Sequence, residues 1–199
     1  MQIGIIGAGM VGESLGKALI KAGYEVMFSS RDPHSDKIQA LAAETGASVA
    51  SVEQTIAEND IIAVALRWDA VAEVASLPGW HGKIVIDMTN RFVRNPERSA
   101  AEELAGLTGA RVVKAFNTIG AEHYQNPRFA GQPATMFIAG DDADAKTVIG
   151  QLASAIGFEV VDAGNLAATR HLENLAEFWV HLARSGHGRN IAFKLLGAS

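Results

Sequence analysis

Short apolar segments alternate with segments of helical periodicity over the first 118 residues. The segment 2–7, QIGIIG, is apolar at nearly every position, which is typical of a strand buried on both faces. The segment 10–22 carries apolar residues three and four positions apart, which predicts an amphipathic helix that stops at Gly23. The alternation continues through predicted strands at 24–29, 47–50, 60–66, 83–88 and 110–116 and predicted helices at 36–45, 52–58, 69–77 and 97–106.

This order of elements predicts an α/β fold, a Rossmann-like doubly wound and mostly parallel sheet with right-handed crossovers. The rest of the chain predicts a C-terminal β-α-β-α extension that continues the same sheet. Its elements are strand 135–140, helix 142–156, strand 158–164, helix 168–184 and a short tail at 189–196. No linker or repeat interrupts the pattern, so we expect a single domain over 1–199, with a core at 1–118 and the extension at 119–199.

The composition narrows the class of protein. The 199 residues are 48% hydrophobic and contain no cysteine, which excludes disulfides, thiolate metal sites and cysteine nucleophiles. The net charge of −5 argues against a nucleic-acid surface, and no apolar run approaches the ~20 residues of a membrane span. The six histidines lack metal-ligand spacing, so no metal site is expected. Since the start of the chain does not resemble a signal peptide, we expect a soluble cytoplasmic protein.

The loop after the first predicted strand is Gly7-Ala8-Gly9-Met10-Val11-Gly12, which fits the pattern G-x-G-x-x-G. Chance matches are common in a chain with 20 glycines, but this one follows a strand and opens a helix, as a dinucleotide site requires. Gly7 allows the tight turn, Gly9 lets the backbone approach a pyrophosphate, and Gly12 lets the helix pack on the strand. The helix N-terminus then offers N–H groups to the phosphates. The alternative is a glycine turn without a ligand.

The end of the second predicted strand indicates which dinucleotide fits. NAD sites usually have an acidic residue about 20 positions beyond the glycines, whereas NADP sites have an arginine for the 2′-phosphate. This chain has Ser29, Ser30 and Arg31 there, and Lys37 follows in the next helix. Arg31 can donate two N–H groups to a phosphate, and Ser30 can donate a third bond, which favours NADP(H). One alternative is that Arg31 and Lys37 are only solvated surface cations. The other concerns Asp32, which could pair with Arg31 or bind the ribose of NAD.

Three later segments carry a resemblance to a known family. They are DMTNRF at 87–92, VVKAFNTIGAEHYQNP at 112–127 and GFEVVDAGNLAATRHLENLA at 157–176. Together with the glycine loop and the sequence SSR, they resemble the NADPH-dependent reductases typified by NADPH:deazaflavin (coenzyme F-420) oxidoreductase. The resemblance covers almost the whole chain, and the oxidoreductase domain of the membrane ferric reductases belongs to the same wider group.

The resemblance implies where each part of the cofactor would lie. The glycine loop would bind the pyrophosphate, Ser30, Arg31 and Lys37 would contact the 2′-phosphate, and Asn117 and Thr118 would border the nicotinamide. The hydride acceptor would lie over the nicotinamide, and the C-terminal extension would form part of its binding site. The resemblance also implies a homodimer. Arg67 stands where relatives often have proline, so it is open to a phosphate or a substrate-anion contact. The implied cofactor residues are Gly7, Ala8, Gly9, Met10, Val11, Gly12, Ser30, Arg31, Lys37, Leu66, Arg67, Trp68, Asn117 and Thr118.

The chemistry expected from these residues is hydride transfer. No catalytic triad or paired carboxylates stand out at the predicted strand ends. Transfer between NADPH and a flavin needs alignment and a dry contact more than a dedicated acid or base. We therefore expect an NADP-dependent oxidoreductase that uses a deazaflavin, FMN or FAD as a small-molecule acceptor, with no catalytic residue assigned. The open alternatives are reduction of a small carbonyl or imine, and a non-catalytic NADP(H)-binding sensor.

Three other features have more than one interpretation. Lys114 lies in an apolar strand and needs a partner, for which Asp87 is the candidate, so we expect a structural ion pair. His123 follows the nicotinamide-side loop and is either a surface residue or a substrate contact. Phe178 and Trp179 belong either to the buried face of a helix or to a dimer contact or acceptor wall.

Overall fold

The computed structural model describes residues 1–92 and 97–197. Its centre is a six-stranded parallel sheet with the order β3-β2-β1-β4-β5-β6. The order reverses between β1 and β4, which is where ligands bind in doubly wound sheets. The predicted Rossmann-like α/β fold is confirmed. The strands are β1 Gln2–Ile6, β2 Glu25–Ser29, β3 Ser48–Ala50, β4 Ile61–Val64, β5 Ile84–Asp87 and β6 Arg111–Lys114.

Helices connect successive strands of this sheet. They are α1 Met10–Lys21, α2 Asp36–Thr45, α3 Val52–Glu58, α4 Val71–Ala75 and α5 Ala100–Thr108. Helix α4 is shorter than the predicted 69–77, because a 3₁₀ turn at Trp68–Ala70 replaces its first residues. Over the described residues, no helix is both long enough and apolar enough to span a bilayer.

Apolar side chains from alternate strand positions fill two separate clusters, one on each face of the sheet. Ile3 and Ile5 of β1 pack with Leu19 of α1 in one cluster. Ile6 and Ile62 belong to the other. Burial on both faces explains why these strands are apolar at nearly every position.

The C-terminal extension attaches to the sheet differently from the prediction. Strands β9 Thr135–Ile138 and β10 Glu159–Asp162 pair with each other in a separate two-stranded parallel sheet. Within the described residues, a single antiparallel bridge, Lys114 to Ala139, joins this pair to β6. The reason is that the C-terminal tail occupies the start of the same edge of β9, where the Thr135 N–H donates to the Phe193 carbonyl at 3.0 Å. The β-α-β-α order is therefore confirmed, and the continuous sheet is not.

The rest of the extension consists of a short hairpin, two helices and a C-terminal tail. A short hairpin precedes β9 and consists of two strands of two residues each, β7 Arg128–Phe129 and β8 Gln132–Pro133. Helix α6 Ala143–Ile156 links β9 to β10, and helix α7 Thr169–Leu182 precedes the tail.

One close contact within the core yields a stability prediction. A Cβ at Gly16 of α1 would lie 2.3 Å from the Phe28 ring, so Gly16→Ala should lower the free energy of unfolding by about 1–3 kcal/mol through overpacking. Gly150 of α6 is the matched control, because the nearest atom to its Cβ would be 3.6 Å away. Gly150→Ala should stabilise the protein by up to about 1 kcal/mol through helix propensity. Urea unfolding followed by circular dichroism measures both, and equal effects would contradict the packing argument.

Candidate cofactor site

A cleft of about 650 Å³ opens at the carboxyl ends of β1, β2 and β4. This edge is where the sequence predicts the adenosine half of a dinucleotide. Apolar groups from α4 and the loop after β4 line one part of the cleft, and polar and cationic groups from the loop after β2 and the start of α2 line another. The lining also includes the acidic residues Glu13, Glu44, Glu53 and Glu73. Of the predicted cofactor residues, the cleft brings together Gly7, Ala8, Ser30, Arg31, Lys37 and Leu66.

The glycine loop has the geometry that a pyrophosphate requires. Gly7 has a φ of +105°, and a Cβ there would lie 2.6 Å from the Ala65 carbonyl oxygen. A Cβ at Gly12 would lie 2.0 Å from the Gly7 oxygen, so the helix starts in direct contact with the loop. Gly9, in contrast, has no atom within 4 Å of its Cβ position, which leaves room for a ligand against its backbone. Helix α1 begins at Met10 without a side-chain cap, so its first N–H groups can bind phosphate oxygens.

The loop after β2 and the first turn of α2 each present one cation to the cleft, Arg31 and Lys37. The Ser30 hydroxyl closes a tight turn, donating to the Asp32 carbonyl at 2.8 Å and accepting the Asp32 N–H at 3.1 Å. The Asp32 carboxylate accepts the His34 N–H at 3.1 Å. In the described part of the chain, no carboxylate lies within 4.0 Å of the Arg31 or Lys37 cation. The predicted alternative of an Asp32–Arg31 pair is therefore absent, and both cations are available for a phosphate.

The loop after β4 joins the two halves of the site. Leu66 lines the cleft, while the Arg67 guanidinium pairs with the Asp69 carboxylate at 3.0 Å on the exposed surface. The Trp68 ring packs against the Arg91 guanidinium, whose carbon lies 5.5 Å from the ring centroid. This cation–π contact fixes the loop against the residues that follow β5. The sequence carries no signal for it, because the two residues come from different loops.

Asn117 and Thr118 lie beyond the end of β6, in the second half of the site. The Asn117 amide nitrogen donates to the Asn90 side-chain oxygen at 2.9 Å and to the Leu172 carbonyl at 3.1 Å. Because a backbone carbonyl can only accept, this contact identifies the amide nitrogen and leaves the Asn117 oxygen as an acceptor. That oxygen is buried and has no partner within the described residues. Thr118 is buried beside it.

The residue before Asn117 is held in a strained conformation. Phe116 has a φ of +60°, which is unfavourable for a non-glycine residue. The Tyr124 hydroxyl donates a hydrogen bond to the Phe116 carbonyl, and the two rings pack edge to face with centroids 5.7 Å apart. Burial raises the pKa of the Tyr124 hydroxyl, so it remains a protonated donor. The strained corner thereby directs Asn117 toward α7 and the loop after β5.

A buried cluster of charges lies at the ends of β5 and β6. The predicted pair is confirmed, because the Lys114 ammonium nitrogen is 2.6 Å from an Asp87 carboxylate oxygen. A third charge, which was not predicted from the sequence, is Glu173 of α7, 3.2 Å from the same nitrogen. Lys114 and Asp87 are fully buried, and Glu173 is nearly so. Glu173 lies on the buried face of an amphipathic helix, which was the one available signal.

The other ambiguous residues have mainly packing roles. His123 is half-buried against Phe129, with a ring nitrogen 3.0 Å from the Arg189 carbonyl oxygen. Trp179 is buried, and its indole N–H donates to the Ile191 carbonyl at 2.9 Å, while Phe178 is exposed. No group of three or more His, Asp or Glu side chains in residues 1–92 and 97–197 is arranged to hold a metal ion.

Comparison with known proteins connects this site to an enzyme family. Residues 2–91 match the family described as NADP oxidoreductase, coenzyme F420-dependent. The chain is 34% identical over 178 residues to metalloreductase STEAP3 of Rattus norvegicus, an alignment that covers 86% of this chain and 36% of that protein. The chain thus spans about a third of the length of this relative.

Solved structures are similar over a larger part of the chain. A proposed F420-dependent NADP-reductase from Arthrobacter sp. FB24 superimposes with a TM-score of 0.90 and 26% identity, covering 99% of this chain and 100% of that one. An imine reductase from Myxococcus stipitatus, in complex with NADP+, shares the fold, with a TM-score of 0.72, 19% identity and coverage of 94% of this chain and 63% of that one. Residues 2–91 of the chain are thus similar to the NADP-dependent oxidoreductase family described as coenzyme F420-dependent, and the whole chain shares its fold with a proposed F420-dependent NADP-reductase.

Proposed function

We propose that the chain transfers hydride between NADP(H) and a flavin-type acceptor, either a deazaflavin, FMN or FAD. The observation that carries this proposal is the state of the ionisable groups at the ends of β5 and β6. Lys114, Asp87 and Glu173 bind one another, and Arg91 pairs with Glu103. None is presented as a proton donor, which reduction of a carbonyl would require. Hydride transfer to a flavin needs alignment instead, and the fixed Asn117 corner supports alignment.

The residues fit an NADP(H) molecule laid across the carboxyl edge of the sheet. The glycine loop would bind the pyrophosphate, and Arg31 and Lys37, beside Ser30, would bind the 2′-phosphate. Leu66, Arg67 and Trp68 would lie along the middle of the cofactor, and Asn117 and Thr118 would border the nicotinamide. When bound, the cofactor supplies the hydride. The protein would orient the ring and exclude water from it.

The acceptor side of this proposal rests on the extension and on the relatives. Helix α7 contacts Asn117 through the Leu172 carbonyl, so it lies beside the proposed nicotinamide position. We propose that the extension forms one side of the acceptor site beside the nicotinamide. The family model and the Arthrobacter structure carry coenzyme F420 in their descriptions. The metalloreductase relatives are much longer than this chain, so their reaction on metal ions is not transferred to it.

The proposed reaction can be tested by turnover. NADPH oxidation, followed by absorbance, should accelerate when a deazaflavin, FMN or FAD is added to the purified chain. Acceleration only by a ketone or a cyclic imine would instead support the carbonyl or imine alternative. Tight NADPH binding without oxidation by any of these acceptors would support the non-catalytic sensor.

The cofactor assignment has a separate test. Arg31→Ala should weaken NADPH binding by about 1–3 kcal/mol, the usual contribution of a charged hydrogen bond, and leave NADH binding nearly unchanged. Arg184→Ala removes an exposed arginine far along the chain and should affect neither cofactor. Titration calorimetry measures the affinity of each of the two variants for NADPH and for NADH, for comparison with the wild type. If Arg31→Ala weakened NADH and NADPH equally, Arg31 would not bind the 2′-phosphate.

We also propose that the chain forms a homodimer through α7 and the tail. Phe178 is 51% exposed and stacks on Phe193 of the tail, and the tail also exposes Leu195 and Leu196. An exposed apolar surface of this kind is typical of an interface. Light scattering should give twice the chain mass of 21.0 kDa, and Phe178→Asp should shift the protein toward the monomer. A monomeric wild-type protein would rule out the dimer.

A further inference from the structure

The buried cluster at the ends of β5 and β6 contains an ammonium with three oxygen atoms close to it. Lys114 Nζ lies 2.6 Å from Asp87 Oδ2, 2.7 Å from the Thr89 carbonyl oxygen and 3.2 Å from Glu173 Oε1. Two of the three N–H donors of this ammonium form hydrogen bonds, to Asp87 and Thr89, and the Glu173 carboxylate lies within ion-pair distance. The geometry is therefore that of the charged lysine.

Both carboxylates of the cluster receive hydrogen bonds and donate none. Asp87 Oδ1 accepts from the Thr89 N–H at 2.9 Å and from the Thr89 hydroxyl at 2.7 Å. Glu173 Oε1 accepts from the Ala100 N–H at 2.7 Å, and Oε2 accepts from the Arg91 N–H at 3.3 Å. Because backbone N–H groups only donate, these partners fit ionised carboxylates. Two negative charges and one positive charge leave the cluster with a surplus of one negative charge.

Within residues 1–92 and 97–197, the charged side chains around the cluster do not cancel this surplus. The Arg91 guanidinium is paired with Glu103, and Arg170 is paired with Glu102 nearer the surface. The Ala100 N–H, at the start of α5, supplies only the partial positive charge of a helix N-terminus. A buried negative charge beyond what the ammonium needs costs stability. Pairing with Lys114 therefore does not explain why the cluster has a second carboxylate.

The position of the cluster matches the end of the cofactor whose charge changes in the reaction. Asp87 and Lys114 are the last residues of β5 and β6, and the residue before Glu173 accepts a hydrogen bond from Asn117. With the adenosine cleft at β1 and β2, the nicotinamide half lies toward these strands. The ring is neutral when reduced and carries one positive charge when oxidised, whereas the rest of the cofactor is the same in both forms.

We infer that the surplus negative charge of the Lys114–Asp87–Glu173 cluster stabilises the oxidised nicotinamide ring relative to the reduced ring. The cluster thereby favours hydride transfer from bound NADPH to the acceptor. The inference rests on the proposed function for the position of the ring. Hydride transfer moves one hydrogen nucleus and two electrons to the acceptor. The ring is left with one positive charge, and the acceptor gains one negative charge, which a proton from solvent neutralises.

The test compares the affinities of the two redox forms. Glu173→Gln preserves the size of the side chain and removes one negative charge. It should raise the Kd for NADP+ relative to the Kd for NADPH by about three- to tenfold, the size of one partly screened charge interaction in a protein. Titration of tryptophan fluorescence or calorimetry gives both constants without turnover. If Glu173 served only to dock α7, both constants would change by the same factor, and the inference would be wrong.

Two controls separate this inference from its premises. Glu177→Gln removes the same charge from the exposed side of α7, where water and salt screen it, so the ratio of the two Kd values should stay unchanged. Binding of 2′,5′-ADP, which lacks the nicotinamide, should be the same in wild type and Glu173→Gln. Failure of the wild-type protein to bind 2′,5′-ADP and NADP(H) would overturn the proposed cofactor site itself. If Glu173→Gln does not fold, Asp87→Asn removes the other carboxylate charge and should shift the ratio in the same direction.

Discussion

The buried ammonium of Lys114 is the interaction on which the second half of the site depends. A charged amine is costly to remove from water, so it is stable only where other oxygens replace its hydration. Asp87 and Thr89 supply two of these oxygens from β5 and the loop after it, and Glu173 supplies the third from α7. Separation of α7 from the sheet would take the Glu173 carboxylate away from the ammonium and from the Ala100 N–H. The cluster thus holds the C-terminal helix at the sheet edge, and through the Leu172 carbonyl it also orients Asn117.

The two ends of the proposed cofactor site differ in how far solvent screens their charges. At the adenosine end, exposed Arg31 and Lys37 are suited to an anionic phosphate, and solvent is free to screen them. At the other end, the surplus charge is negative and buried, so it is screened far less. The strained conformation of Phe116, which costs about 1–3 kcal/mol, is maintained there by the Tyr124 hydroxyl and by contact with Phe158. A rigid, charged wall is consistent with a reaction that depends on alignment and on the charge of a ring.

The sequence predicted the features that depend on neighbouring residues. The glycine loop, the end of β2 and the order of strands follow from local patterns, and the structure has them where they were expected. The Lys114–Asp87 pair was predictable because both residues end adjacent strands. Glu173 was not, since its bond to the Ala100 N–H joins residues 73 positions apart and no periodicity encodes that pairing. The same holds for the single bridge between β6 and β9, because the tail that occupies the edge of β9 arrives from the end of the chain.

The proposed acceptor site lies beside elements that are held by contacts of this long-range kind. Local sequence patterns therefore indicate the hydride donor but not the acceptor. The loop after Thr118 is fastened to the tail by Arg189, whose guanidinium binds both oxygens of Glu122 at 2.6 and 2.8 Å. Arg189 also stacks on Trp179, so one residue connects the loop, α7 and the tail. If the extension borders the acceptor as proposed, a change in any of these three segments would alter the acceptor side without altering the glycine loop, Arg31 or Lys37. Related chains can therefore share an NADP-binding half and differ in the molecule that they reduce.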